Sequence, residues 1–552
     1  MEQRSGVPVG QDHSVWDYVL PKMDFPGTPL YKDGPKPFDL ESLIYNIQLG
    51  ADCRYVRNYL ANYDKAHVRR ELNGIIDGFP SIFYVVARND DSILRLWVAN
   101  GGNVGAIHEA SQVPLLAFAI AHSENSQRDM TAIVATILGL GADPACIPEE
   151  FYTPYTDDLP IDGPETIEEN EKTAWCKIEA RKKLGKTLNF SQRYFLWRAT
   201  CTDRPSVRAK QITLRKNAQA ILEIPYFMIG QTVASNRIFT RLLNHISMPS
   251  SKTKPNMKPL VLVFAGPSGH GKTELARQLG HLLSLDLEVA DCTIVEHERE
   301  LFGPRHPYVG AERGTPLNNF LARHADQGCI AFLDEFEKTT KDVHEALLLP
   351  FDNGEYQDRR DLRRINCTKT IWILATNALD EQIISFCDRY EDIIVGDEST
   401  KQKLGRTLSK ELKQAFLQRF GAPLTGRISD FVPFVPFSAG EQAVVAHKFL
   451  RELTSTIREP VDLCEGSGER LIGNINLHVK HDASVCTTIA KSDYSRDLGA
   501  RSLSVAVKAV EGLVVELYYQ EDEEIVEDGK MMDVMVDSHA GEIRVKLLDP
   551  SS

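Results

Sequence analysis

The sequence predicts an α/β fold built on a P-loop parallel sheet and preceded by a domain of helical repeats. Three observations carry this. An apolar run, Leu260 to Ala265, leads straight into Gly266-Pro267-Ser268-Gly269-His270-Gly271-Lys272-Thr273 and then into an amphipathic helical pattern. Two further apolar runs end in polar residues, "CIAFLDE" at Asp334-Glu335 and "KTIWILATN" at Asn377. Two helical blocks open at Pro80 and Pro114, 34 residues apart.

The bulk numbers fit a folded, multidomain chain. It has 552 residues, more than one ordinary domain holds. Hydrophobic residues make up 42% and charged residues 25%. A net charge of −14 disfavours a nonspecific nucleic-acid binder, which needs a basic surface. The 10 cysteines form no CxxC pair, so neither a zinc site nor a disulfide framework is expected, and a reducing compartment fits. No apolar run is long enough to span a bilayer, so no membrane is expected. The first residues show no signal core and no transit-peptide character, which makes the cytoplasm the expected location, with the nucleus as the other option.

In chain order, residues 1–38 are rich in Pro, Gly and Asp and read as an extended arm. Residues 39–150 carry the two blocks, "FPSIFYVVARND" and "VPLLAFAIAHSE". Each is followed by a second helical pattern and a turn, Gly102-Asn103 in one and Gly141-Ala142-Asp143 in the other. This resembles a degenerate ankyrin repeat, whose period is about 33 residues, with proline at the helix-opening position. Such stacks mostly bind protein, so a protein partner is expected on this domain. Residues 151–220 hold the acidic linker "TDDLPIDGPETIEENE" and two helical patterns. The first of these bears Lys177, Arg181, Lys182, Lys183 and Lys186, which read as a solvated face.

The stretch from Gly266 to Thr273 matches G-x-x-x-x-G-K-[ST] in full and sits between a strand and a helix, the context a phosphate loop demands. Its glycines let backbone N–H groups close round phosphate oxygens, and the helix N-terminus adds partial positive charge. ATP is the expected ligand, with Lys272 on its outer phosphates and Thr273 as a ligand of Mg²⁺. Asp334, at the tip of its strand, is the second expected Mg²⁺ ligand, and Glu335 is expected to orient the attacking water. Asn377, at the tip of the third strand, could hold that water or merely form a turn. His270 falls within the loop and has no role of its own in this reading.

From Met228 onward, 325 of the 552 residues resemble the AAA+ module of Clp-type protein unfoldases, in particular the second ATPase ring of the ClpB family. "MIGQ" at 228–231 resembles the V-I-G-Q box beside the adenine, which implies a cofactor contact for Ile229. "GPSGHGKTELA", "FLDEFEK", "FGAPLTGRISDFVPF" and "LGARSL" follow in family order. The resemblance implies an arginine finger at Arg427, reaching the neighbouring subunit's nucleotide, and a sensor arginine at Arg501. It implies helices on both faces of the sheet, a large ATPase subdomain over 221–437 and a small α+β subdomain over 438–552. It also implies a homo-oligomer, by likeness a hexameric ring. "PYVG" resembles the family's G-Y-V-G pore loop, so Tyr308, Val309 and Gly310 are implied to grip unfolded polypeptide in a central channel. An aromatic ring suits that task because it offers broad apolar contact at low entropic cost.

The sequence departs from the pattern at Pro307, at "LTGR" before the finger and at Ser502. Ankyrin-like repeats ahead of a single Clp-type ATPase resemble a mitochondrial branch of the ClpB family, whose location is not carried over. The function expected is ATP-dependent protein remodelling, with substrate chosen by the ankyrin-like domain. An ATP-controlled scaffold or switch without threading is the alternative reading.

Overall fold

The computed structural model describes residues 16–24, 37–216, 218–247, 258–304, 311–461, 471–520 and 531–548. The chain divides into two compact units, Met1–Thr200 and Cys201–Ser552.

The first unit is helical. Its helices run in pairs: Leu40–Gln48 with Cys53–Ala61, Ser81–Ala87 with Asp91–Ala99, and Leu115–Ser126 with Thr131–Gly139. First helices pack on first helices and second on second, the layering of a repeat stack. Pro80 and Pro114 stand at the N-caps of two first helices, where a missing N–H costs nothing. Asp39, Asp52 and Asp90 cap helices by accepting backbone N–H groups with their carboxylates. The core is apolar and aromatic, with Phe83, Trp97 and Phe118 fully buried. The described part of the arm, residues 16–24, has no regular structure but lies on this core. Trp16 stacks on Phe118 at 5.4 Å, and the Asn125 side chain donates to the Asp17 carbonyl at 2.7 Å.

The second unit opens with helix Val207–Arg215, which the sequence reading grouped with 151–220. It packs against the turn Gln219–Glu223 and against helix α1 (Thr232–Ser247). The strands of this unit are numbered β1 (Leu260–Ala265), β2 (Leu287–Asp291), β3 (Cys329–Asp334), β4 (Thr370–Thr376) and β5 (Asp430–Pro433). They form one sheet in the order β2-β3-β4-β1-β5, every pair parallel. The three central strands are the three expected from the apolar runs. Their near-continuous burial is what a parallel sheet covered on both faces requires. Two apolar layers cover it, one round Trp372 and Phe351, the other round Phe264 and Phe332.

Helix α2 (Lys272–Leu283) follows β1, and α3 (Glu398–Phe420) packs on β5. The rest is a small α+β layer. Helices α4 (Ala439–Arg458), α5 (Asp482–Asp493) and α6 (Ala500–Tyr519) pack with a sheet of β6 (Ile475–Val479), β7 (Met532–His539) and β8 (Glu542–Leu547). In it β6 pairs parallel with β7, and β7 antiparallel with β8. The α/β class, the parallel sheet and the small α+β end agree with the expectation.

Candidate active site

The site is assembled where β1, β3 and β4 end together. The register sets Ala265 beside Thr376, and Leu333 beside Leu374, so the residues that follow all emerge at one edge of the sheet. Ligands of open α/β sheets bind at this carboxyl edge.

Gly266 to Gly271 wrap from β1 into α2. Gly269 shows why glycine is needed here. Its φ is +73°, and a Cβ would lie 2.0 Å from the Leu498 carbonyl oxygen. Lys272, the first residue of α2, is only 8% exposed. Its ammonium donates to the carbonyls of Gly266 and Pro267, and to Asn377 Oδ1 at 2.7 Å. Burial pushes it down to about 8, against the opposing pull of the Asp380, Asp334 and Glu337 carboxylates.

Thr273 Oγ1 donates to Asp334 Oδ2 at 3.4 Å, so hydroxyl and carboxylate stand together. These are hard oxygen donors of the kind Mg²⁺ takes alongside phosphate oxygens and water, and the residues present fit that ion. Among the described residues no group of three or more His, Cys, Asp or Glu side chains forms a separate metal site. Glu335 follows in the left-handed region, at φ +50°, half-buried. A non-glycine residue rarely adopts that conformation, and such positions cluster at functional sites.

Other residues complete the rim. Arg501, in the first turn of α6, donates to Ser268 Oγ at 2.7 Å. Beside it the Ala500 N–H donates to the Gly269 carbonyl at 2.9 Å. On another side Met228 is buried, and a Cβ at Gly271 would lie 2.9 Å from its Cε. Ile229 is half-buried, and Gln231 holds this segment by exchanging two hydrogen bonds with the Val435 backbone. Lys272, Thr273, Asp334, Asn377, Ser268 and Arg501 are thus brought together.

Arg427 is not among them. It donates to the Leu348 and Pro423 carbonyls and pairs with Asp352 at 3.1 Å. Tyr308, Val309 and Gly310 lie outside the described residues.

The sequence reading missed Glu337 and Asp380, and it placed His270 in the phosphate loop without its packing. Glu337 accepts the Asn377 N–H at 3.2 Å. Asp380 is raised to about 7, by burial first and then by the nearby Glu337 and Asp497 carboxylates, against the pull of Lys272. His270 is fully buried; its Nδ1 lies 2.9 Å from the Ser268 carbonyl oxygen, its Nε2 lies 3.4 Å from the Tyr494 hydroxyl, and its ring stacks on Phe437 at 5.2 Å. Burial holds it at about 4. The "FLDEFEK" motif contained a signal for Glu337. Nothing local marked Asp380 or the packing of His270.

Residues 258–428 match the family model described as AAA domain (Cdc48 subfamily). The chaperone protein ClpB of Chlamydia pneumoniae is 26% identical over 253 residues, covering 45% of this chain and 26% of that protein. ClpB of Chlamydia trachomatis serovar D is 30% identical over 188 residues, covering 33% of this chain and 20% of its own. Among solved structures, the S. cerevisiae Hsp104:casein complex in its extended conformation is 21% identical, with a TM-score of 0.40 over 61% of this chain and 53% of that one. This chain spans about a quarter of the length of the ClpB relatives it matches. Residues 258–428 are thus similar to an AAA domain, and the chain is similar to part of the ClpB chaperones.

Proposed function

We propose that this protein is an ATP-dependent protein-remodelling machine that works as a homo-oligomeric ring, a hexamer by likeness to its relatives. The observation that carries the reading is the convergence on Lys272. A buried ammonium at the head of a helix, held by loop carbonyls and the Asn377 amide oxygen, with the Thr273–Asp334 pair following it in the site, suits the outer phosphates of a nucleotide.

In this reading Gly266 to Thr273 cradle the phosphates of ATP, and Ile229 lies beside the base. Thr273 and Asp334 hold Mg²⁺, which when bound neutralises charge on the phosphates. Glu335 takes a proton from the attacking water as general base, and Asn377 fixes its position. Arg501 reports the nucleotide to the small subdomain through Ser268. Arg427 completes the site of the next subunit; within its own copy its partners are Leu348, Pro423 and Asp352, not the phosphate loop. Tyr308, with Val309 and Gly310, grips an unfolded polypeptide in the channel. The first unit, read as ankyrin-like, selects the client or a protein partner.

The test is steady-state phosphate release by the full chain, with and without a permanently unfolded protein, alongside mass in solution with ATP. The reading expects a ring and hydrolysis stimulated by the unfolded chain. Tight ATP binding without stimulated turnover would instead support an ATP-controlled scaffold.

A further inference from the structure

Away from the nucleotide, the second unit carries an open groove of about 770 Å³ between helix Val207–Arg215, α1, α3 and the start of β5. Its lining holds six cations against two carboxylates, in a chain whose net charge is −14. The groove is therefore a local reversal of sign.

Its floor and wall differ in chemistry. On the floor Asp430, 7% exposed, bridges Arg237 at 2.5 Å and Arg241 at 2.8 Å. Asp430 offsets one of the two arginines, so the triad serves as structure and keeps one net positive charge. The wall is α3, where Arg406, Lys410 and Lys413 fall at i, i+4 and i+7 on one face. All three are exposed, and none has an ion-pair partner among the described residues. Phe239 and Leu243, half-buried on α1, add apolar ground between floor and wall.

One segment of this chain has the complementary pattern. Residues 521–528, Glu-Asp-Glu-Glu-Ile-Val-Glu-Asp, place six carboxylates round a central Ile525-Val526. They connect the end of α6 at Tyr519 to the start of β7 at Met532. The foot of α6 sits on its own P-loop, through Ala500 and Gly269. Twenty helical residues then carry the chain about 30 Å along the helix axis, to Tyr519. The groove lies at the other end of the same sheet, where β5 begins.

We propose that the groove is an assembly site that receives the acidic segment 521–528 of a second copy of this chain. The inference rests on the ring reading, which supplies the second copy. Charge would steer the docking and fix its register, and Ile525-Val526 would meet Phe239 and Leu243.

The experiment uses a labelled peptide of residues 519–531 titrated into the full-length protein. Saturable binding that weakens with added salt is expected. Affinity should fall at least about tenfold in the triple variant Arg406→Glu, Lys410→Glu, Lys413→Glu. That variant and the reversal Glu521→Lys, Glu523→Lys, Glu524→Lys should each impair ATP-dependent assembly, and combining them should restore it. Equal competition by a peptide of residues 156–171, or by a short single-stranded oligonucleotide, overturns the assignment of this occupant. A ring that forms equally well in the triple variant overturns this contact alone. A wild-type chain that stays monomeric with ATP overturns the ring reading and this contact together.

Discussion

Burial gives Lys272 its chemistry. An ammonium at 8% exposure has lost most of its hydration, so it favours the charged form only where an anion or acceptors compensate. The sign of its pH dependence follows. Burial has lowered its pKa to about 8, so the free protein loses this charge as pH rises through that value. A bound phosphate favours the protonated form. ADP affinity, measured calorimetrically, should be flat below about pH 8 and should weaken above it, by up to about tenfold per unit.

Glu335 separates from Lys272 in the same logic. Glu335→Gln keeps the loop and the ammonium but removes the base, so it should bind ATP and release phosphate at least about a hundredfold more slowly. Lys272→Ala should lose nucleotide affinity itself. Single-turnover kinetics beside equilibrium binding distinguish the two.

Legibility at this scale followed locality. The phosphate loop and the Asp334-Glu335 pair were readable because contiguous residues carry them. Asp380 and His270 were not, because their environment comes from distant packing: His270 meets Phe437 and Tyr494, far along the chain.

Among elements, the three central strands were legible as long apolar runs. The edge strands β2 and β5 were not singled out. β2 has only half-buried and exposed positions, and β5 has four residues ending in Pro433, so neither announces itself. The buried part of the N-terminal arm was equally silent, since Trp16 finds Phe118 across a hundred residues.

The contact between the P-loop and the foot of α6 is the element-scale device. Gly269 and the 498–501 turn fit only because no side chain intervenes. Gly269→Ala puts a methyl group into the Leu498 carbonyl at a positive φ, so it should part the two elements. The expected outcome is unchanged helix content by circular dichroism, with nucleotide affinity lost and protease cleavage increased between α5 and α6.

At the scale of the whole molecule, the ring reading turns on Arg427. It is tied to Leu348, Pro423 and Asp352, none of them in the phosphate loop, and the proposed function assigns it to another copy's site. Arg427→Ala and Lys272→Ala should each be inactive alone. Mixed, they should regain partial ATPase activity, because some interfaces then pair an intact loop with an intact finger. Absence of rescue in mixed rings of verified mass contradicts a finger acting in trans.

In the proposed function, hydrolysis of ATP beside Lys272 drives movement of polypeptide. The most direct measurement follows the fluorescence of a stably folded protein bearing an unstructured tail, with ATP, for wild type and for Tyr308→Ala. Wild type should extinguish the signal. Tyr308→Ala should leave it intact while keeping basal ATPase, ring mass and thermal stability, and Tyr308→Phe should retain much of the unfolding. Unfolding by Tyr308→Ala at the wild-type rate, or a wild type that hydrolyses ATP yet never unfolds the probe, would contradict the account.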